Sequence, residues 1–247
     1  MCVAIGVFDG VHVGHQHILR DLQRHAAALG AVAVVVTFDR HPNAIVAPGR
    51  LPLLIQTLHQ RLGALDSLGL DATWVIPFDL AFSRLTGEQF VALLAGGFGR
   101  LASIHVGPEF HFGYHRTGNL DLLRQLESRY GFATCSLPAQ QHAGQIVSST
   151  RIRQAIRAGD LAAVGRMLGR PYAVGGRVIA GDGRGRQLGF PTANLGLRGW
   201  PCLPPVFTRP TRAGPTAWLR RSSTSVAAPR STWTAKTSPS RLIFWTV

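Results

Sequence analysis

Residues 6–15 read GVFDGVHVGH, and this stretch decides the fold because it joins a short apolar run to a segment of helical spacing through a glycine-bearing turn. The run Val3 to Phe8 has the length and composition of a buried parallel strand. From Gln16 to Leu29 the apolar residues Ile18, Leu19, Leu22, Ala26 and Leu29 recur at helical intervals, and Gly30 closes the segment. A strand entering a helix in this way places His12 and His15 on one face of the first helical turn. The first amides of a helix lack intrahelical partners and carry the positive end of its dipole, so a polyphosphate can settle there. Gly6 and Gly14 permit close backbone approach, and both imidazoles can donate to phosphate oxygens. By itself either histidine reads as a surface or capping residue. The strand, glycine, aspartate and paired histidines arriving in sequence favour a nucleotide site.

The remainder of the first 140 residues repeats the alternation. Strands are expected at 3–8, 32–38, 72–77, 102–106 and 132–137, with helices at 15–29, 57–68, 86–96 and 119–129. Thr86-Gly87-Glu88-Gln89 has capping-box spacing at the third helix, and Asn119 is a candidate cap for the fourth. The pattern predicts a Rossmann-like doubly wound parallel sheet. Ligands of such sheets bind beyond the carboxyl ends of the strands, which singles out residues 9–15, 37–42 and 107–113. Residues 155–169 form a helical connector, with Asp160 capping Leu161 onward.

Of 247 residues 46% are apolar, enough for one large or two modest cores. No run of 18 apolar residues is present, and the chain enters a strand almost at once, so neither a membrane span nor a signal peptide is expected. Cys2, Cys135 and Cys202 lack CxxC or histidine-partner spacing, which argues against a zinc site or disulfide framework and fits a reducing cytoplasm.

Several motifs together resemble the bacterial bifunctional riboflavin kinase/FMN adenylyltransferases, or FAD synthetases. GVFDGVHVGH carries the HxGH motif of nucleotidylyltransferases. TFDRHP (37–42) is similar to the family's TFxPHP, with Arg40 where a proline is usual. VGPEFHFG (106–113) resembles VGxDFxFG, with Glu109 where Asp or Asn is usual. SSTRIR (148–153) matches SSTxIR, and GFPTAN (189–194) matches the kinase motif. The resemblance covers residues 3 to about 205 and also implies a start some residues upstream. It implies a Rossmann-like nucleotidylyltransferase domain over 1–169 that includes the connector, followed from 170 to 205 by an incomplete riboflavin-kinase β-barrel.

The implied chemistry is adenylyl transfer from ATP to FMN, with Mg²⁺, giving FAD and pyrophosphate. His12 and His15 would be catalytic. Gly6, Phe8, Asp9 and Gly14 would contact ATP, joined by a second phosphate clamp of Ser149, Thr150 and Arg153. Read alone, that second segment is a capped basic helix, and Asp9 is a turn residue. Phe38, His41, Pro42, Glu109, Phe110 and Phe112 are candidates for the flavin slot, although aromatic residues at strand ends commonly serve the core. In the kinase domain Thr192 and Asn194 would hold Mg²⁺ and ATP if the barrel formed.

After Pro205 the character of the chain changes. Residues 206–247 hold fourteen Ser/Thr, seven Lys/Arg, three of five tryptophans and the chain's single lysine, Lys236, and no Asp or Glu follows Asp182. Riboflavin phosphorylation needs a general base, which the family supplies as a glutamate from the missing region. The expectation is a frameshift near codon 205, a disordered basic tail and lost kinase activity. Seven of the fourteen net positive charges lie in that tail, so the charge is a weak guide to partners. The competing readings are a fully bifunctional enzyme, an inactive remnant, a nucleic-acid-binding basic protein, or another HxGH enzyme such as a pantetheine-phosphate or nicotinate-nucleotide adenylyltransferase. TFDRHP, EFHFG and GFPTAN argue against the last, and no nucleic-acid motif is present.

Overall fold

The structure is a computed structural model that describes residues 1–97, 99–180, 182, 184–187, 189, 192–196, 225–227 and 242–246. The chain runs β1 (Cys2–Ile5), α1 (Val13–Ala28), β2 (Ala33–Phe38), α2 (Asn43–Val46), α3 (Leu58–Asp66), β3 (Ala72–Ile76), α4 (Gly87–Gly97), β4 (Ser103–Val106), α5 (Leu120–Tyr130) and β5 (Ala133–Ser136). There follow β6 (Gln141–His142), β7 (Gln145–Ile146), α6 (Ser149–Ala158), α7 (Leu161–Leu168), β8 (Ala173–Ile179), α8 (Arg184–Gln187), β9 (Thr192–Gly196), β10 (Ser225–Ala227) and β11 (Leu242–Thr246). Packing divides the chain into two compact units, residues 1–52 with 58–148, and residues 53–57 with 149–247.

In the first unit β1 to β5 form one parallel sheet in the order β3-β2-β1-β4-β5. Every residue of β1, β2 and β4 is buried, as a parallel sheet covered on both faces requires. One layer packs Leu19, Leu22 and Ala26 of α1 and Leu65 of α3 against Cys2, Ala4, Ala33 and Val35. The other packs Phe90, Val91 and Leu94 of α4 and Leu123 and Leu126 of α5 against Val3, Ile5, Val34, Val36, Ile104 and Val106. Chain order reverses at β1, so the crevice between the carboxyl ends of β1 and β4 is the topological switch point.

Local chemistry fixes the element ends. Thr86 and Gln89 complete a capping box, Gln89 N–H donating to Thr86 Oγ1 at 3.2 Å and Thr86 N–H to Gln89 Oε1 at 2.9 Å. Asn119 caps α5 through Leu122 N–H at 2.9 Å, and Asp160 caps α7 through Ala163 N–H at 2.9 Å. One expectation needs correction: β1 ends at Ile5 rather than Phe8. Phe8 takes φ 52° and Val11 φ 40°, so the chain leaves the strand in a loop that an extended run to Phe8 would not allow.

In the second unit α6 and α7 precede a four-stranded antiparallel sheet, ordered β10-β9-β8-β11. β8 and β9 fall in the stretch expected to begin an incomplete barrel, whereas β10 and β11 come from the segment after Pro205 expected to be a disordered tail. Most of the tail from 206 onward, and Cys202, lie outside the described residues. Cys2 and Cys135 are free thiols.

Candidate active site

The loop from Gly6 to His12 leaves the central strand and turns directly into α1. His12 is the N-cap of that helix, in extended backbone conformation, and its Nδ1 accepts from His15 N–H at 3.3 Å. Nδ1 is therefore unprotonated, which puts the proton of the neutral ring on Nε2. The two imidazoles stack with centroids 3.6 Å apart and planes inclined by 19°. Phe8 meets His15 edge-on at 5.1 Å. No acidic residue occupies the first turn of α1, leaving the helix dipole uncompensated.

Gly14 makes the stack possible. A Cβ there would sit 3.1 Å from His12 Nδ1 and 3.2 Å from its Cε1, with the Val147 carbonyl at 3.7 Å. Nδ1 of His15 is buried without a hydrogen-bond partner. Burial, and secondarily the neighbouring His12, holds the His15 pKa well below the usual histidine range, so this ring is neutral at physiological pH. A buried neutral imidazole with an unused nitrogen, set at a helix N-terminus beside a second imidazole, suits an anion that brings its own charge. Phe8 and Val11, both at positive φ, add the backbone strain that surrounding structure tolerates where a ligand loop is held in one shape.

Asp9 is 3% exposed in this loop. Its charge acts on Arg61 of α3, a residue that no motif in the sequence marks. Arg61 is 5% exposed, and its guanidinium donates to the carbonyl of Val7 at 2.8 Å and to that of Phe38. Thr37 Oγ1 donates to the same Val7 carbonyl at 3.2 Å. One side chain thereby joins the loop after β1 to the end of β2. Burial lowers the Arg61 pKa and the Asp9 and Asp39 carboxylates raise it in opposition, so the guanidinium remains a cation.

The flavin-slot candidates divide into separate groups. Phe38 belongs to the core, where it meets Phe78 at 5.3 Å and Phe82 at 6.0 Å. Phe82, Phe90 and Phe112 continue the chain of rings at 5.7 Å each, and Phe110 stacks on Phe112 at 5.2 Å. Phe78, Phe82 and Phe90 escaped sequence reading because they fall outside the recognised motifs. His41 Nδ1 accepts from Asn43 N–H at 3.1 Å, and Pro42 is the N-cap residue of α2, so both shape that short helix. Arg40 pairs with Asp39 at 2.7 Å and, as the main cause, holds that carboxyl below its usual range, while Phe78 N–H donates to the same carboxylate at 2.9 Å. Glu109 is exposed, and its carbonyl lies 3.0 Å from Nδ1 of His111.

The second-clamp residues lie in the second unit. Ser149 and Thr150 open α6, half-buried and exposed respectively, and Arg153 is buried with its Nε donating to the Leu53 carbonyl at 2.7 Å. The backbones of Thr192 and Asn194 lie in β9, and their side chains fall outside the described residues. Among the described residues no helix is long and apolar enough to cross a membrane.

The FAD synthetase family profile matches residues 1–151, and the riboflavin kinase profile matches residues 168–213, eight residues beyond the expected end of resemblance at Pro205. The bifunctional riboflavin kinase/FMN adenylyltransferase of Escherichia coli is 37% identical over 198 residues, covering 80% of this chain and 63% of its own length. That of Pseudomonas fluorescens is 35% identical over 234 residues, covering 86% and 75%. The Bacillus subtilis protein is 33% identical over 206 residues, covering 83% and 64%. The chain thus spans just under two thirds of the Escherichia coli and Bacillus subtilis relatives. A crystal structure described as a macrolide-efflux protein from Streptococcus pneumoniae superposes with a TM-score of 0.75 at 27% identity, over 92% of this chain and 77% of that one.

Proposed function

Because the chain belongs to the FAD synthetase family, we propose that it is a cytoplasmic FMN adenylyltransferase that takes MgATP and FMN as substrates and has lost riboflavin kinase activity. The observation that carries the reading is the stacked His12–His15 pair at the amino end of α1, beside the switch point of the sheet. In the reaction an FMN phosphate oxygen attacks the α-phosphorus of ATP. The bond from that phosphorus to the bridging oxygen breaks, and pyrophosphate leaves with the electron pair. The attacking phosphate is already ionised at neutral pH, so no strong general base is needed. Catalysis reduces to alignment and to neutralising charge on the departing group.

The residues divide that work. The α1 amides and the Nε2 proton of His12 offer donors to the triphosphate, and Gly6 and Gly14 let it approach. His15 is neutral before substrate arrives, and negative charge gathering on the leaving group raises the basicity of both rings. His15 Nδ1 is then the atom at which a proton can be held against pyrophosphate. Asp9 orients the loop through its attraction to Arg61, and Phe8 fixes the His15 ring. Ser149, Thr150 and Arg153 are assigned to a second phosphate clamp, and Phe38, His41, Pro42, Glu109, Phe110 and Phe112 to the flavin side. Residues 1–169 carry the adenylyl transfer, 170–205 begin a kinase barrel in which Thr192 and Asn194 would hold Mg²⁺, and 206–247 form an aberrant tail.

The match of the riboflavin kinase profile over 168–213 favours one competing reading, a chain that still phosphorylates riboflavin. Purified protein with Mg²⁺ and ATP is given FMN in one reaction and riboflavin in another, and products are separated by chromatography. FAD from the first and no FMN from the second is expected. FMN made from riboflavin would overturn the loss of kinase activity, and no FAD from FMN would overturn the adenylyltransferase reading itself.

A further inference from the structure

The α1-facing side of the sheet carries a polar cluster that adenylyl transfer does not use. In β4, Ile104 and Val106 enter the α4/α5 core, so the alternating Ser103 and His105 face the α1 side. His105 is in register with Cys135 on the adjacent strand β5, which brings the two side chains to the same face as cross-strand neighbours. Asp21 and His25, four apart on α1, cover them. His105 Nδ1 lies 3.2 Å from Asp21 Oδ2, its Nε2 lies 3.0 Å from Ser103 Oγ, and the His25 and His105 rings meet edge-to-face at 5.3 Å. Donor atoms of His25, His105 and Cys135 all lie within 4.8 Å of one another.

We propose that His25, His105 and Cys135 form a zinc site, with Asp21 as the carboxylate that orients the His105 ring. Two imidazoles and a thiol suit a borderline-soft divalent ion, whereas Mg²⁺ and Ca²⁺ take oxygen donors. Tetrahedral coordination separates neighbouring N and S ligands by roughly 3.4–3.7 Å. Closing the present spacing to that value takes side-chain shifts of about an ångström. A carboxylate on the second nitrogen of a ligating histidine is the usual way such a ring is held.

His105 is 1% exposed, with its Nδ1 turned to the Asp21 carboxylate at 3.2 Å. His25 and Cys135 are half-buried, which leaves an entry path for the ion. On binding, the Cys135 thiol releases one proton to solvent and its sulfur lone pair forms the metal bond. The ion would tie the carboxyl half of α1 to β4 and β5. The three ligands are 80 and 30 positions apart, so no sequence spacing announces them.

The chelator-stripped 247-residue chain is titrated with Co²⁺ and then with Zn²⁺. One equivalent of Co²⁺ is expected, with a thiolate-to-cobalt charge-transfer band in the near ultraviolet that Zn²⁺ removes. The band should vanish in Cys135→Ser and persist in Cys202→Ser. His25→Asn should weaken Co²⁺ binding at least tenfold while far-ultraviolet circular dichroism stays unchanged. Zn²⁺ should raise the melting temperature of the wild type and leave that of His25→Asn in place. Absence of the thiolate band, its survival in Cys135→Ser, or cobalt bands of histidine character alone would overturn the site.

Discussion

His12 closes the amino end of α1, and under the proposed function it also offers a donor to the triphosphate; substitution can separate the two. Asparagine is among the best N-cap residues and lacks the imidazole, while alanine lacks both. The cap hydrogen bond from His15 N–H to His12 Nδ1 is long, 3.3 Å, so its loss belongs at the lower end of measured caps, roughly 0.5–1 kcal/mol. For a chain of this size that is a fall of roughly 1–4 °C in melting temperature. Removing one preorganised donor from a site of this kind costs on the order of 10²–10³ in rate. His12→Asn should therefore melt like the wild type and His12→Ala a few degrees lower, while both lose about 10²–10³ in FAD formation from saturating FMN and MgATP. An Asn variant that kept its rate within about threefold would refute the donor role and leave His12 a cap. Equal melting of the two variants would refute the capping contribution.

Three further outcomes follow from the same geometry. Gly14→Ala puts a Cβ 3.1 Å from the His12 ring. Alanine favours the helix by about 1 kcal/mol, so the protein should hold or gain stability in thermal melts while FAD formation drops by about tenfold as the ring shifts. Arg61→Lys keeps the charge but cannot bridge the Val7 and Phe38 carbonyls, and urea unfolding should show a loss of about 2–4 kcal/mol. An unaltered midpoint would mean that the two contacts contribute nothing. The third concerns pH. Burial, with a further push from His25, lowers the His105 pKa to about 4 against the opposing pull of Asp21. Its folded value lies below the unfolded one, so the unfolded state binds more protons between them. Stability is complete above about pH 6.5 and falls by about 3 kcal/mol as pH drops to 4. His15, also depressed, acts with the same sign. Denaturation midpoints measured across that range should flatten in His105→Gln, and an unchanged slope would refute the assignment.

Much of this architecture could be read in advance because it is set by short-range rules. The five parallel strands, the capping box at Thr86 and the caps at Asn119 and Asp160 each depend on residues within a few positions of one another. The boundary of β1 could not be read so, because Val3 to Phe8 is apolar throughout and only the loop's need to turn back toward α1 ends the strand at Ile5. Arg61 was invisible for another reason. Its value lies in two carbonyls 54 and 23 positions away, and composition alone makes any arginine a surface residue. The histidine pair was legible as a motif, while the cap, the stack and the unpaired His15 nitrogen required coordinates.

Arg61 also bears on what kind of molecule the crevice can admit. The carboxyl edge of a parallel sheet presents carbonyl oxygens, the negative ends of peptide dipoles, toward anything arriving from that side. A phosphorylated ligand approaching β1 and β2 would meet repulsion from Val7 and Phe38. With a buried guanidinium holding both oxygens, that edge is neutralised before an anion enters, by a cation that need never touch it. Affinity for phosphates would then depend on a buried residue that holds two backbone carbonyls, and loss of Arg61 should weaken anionic ligands far more than uncharged ones.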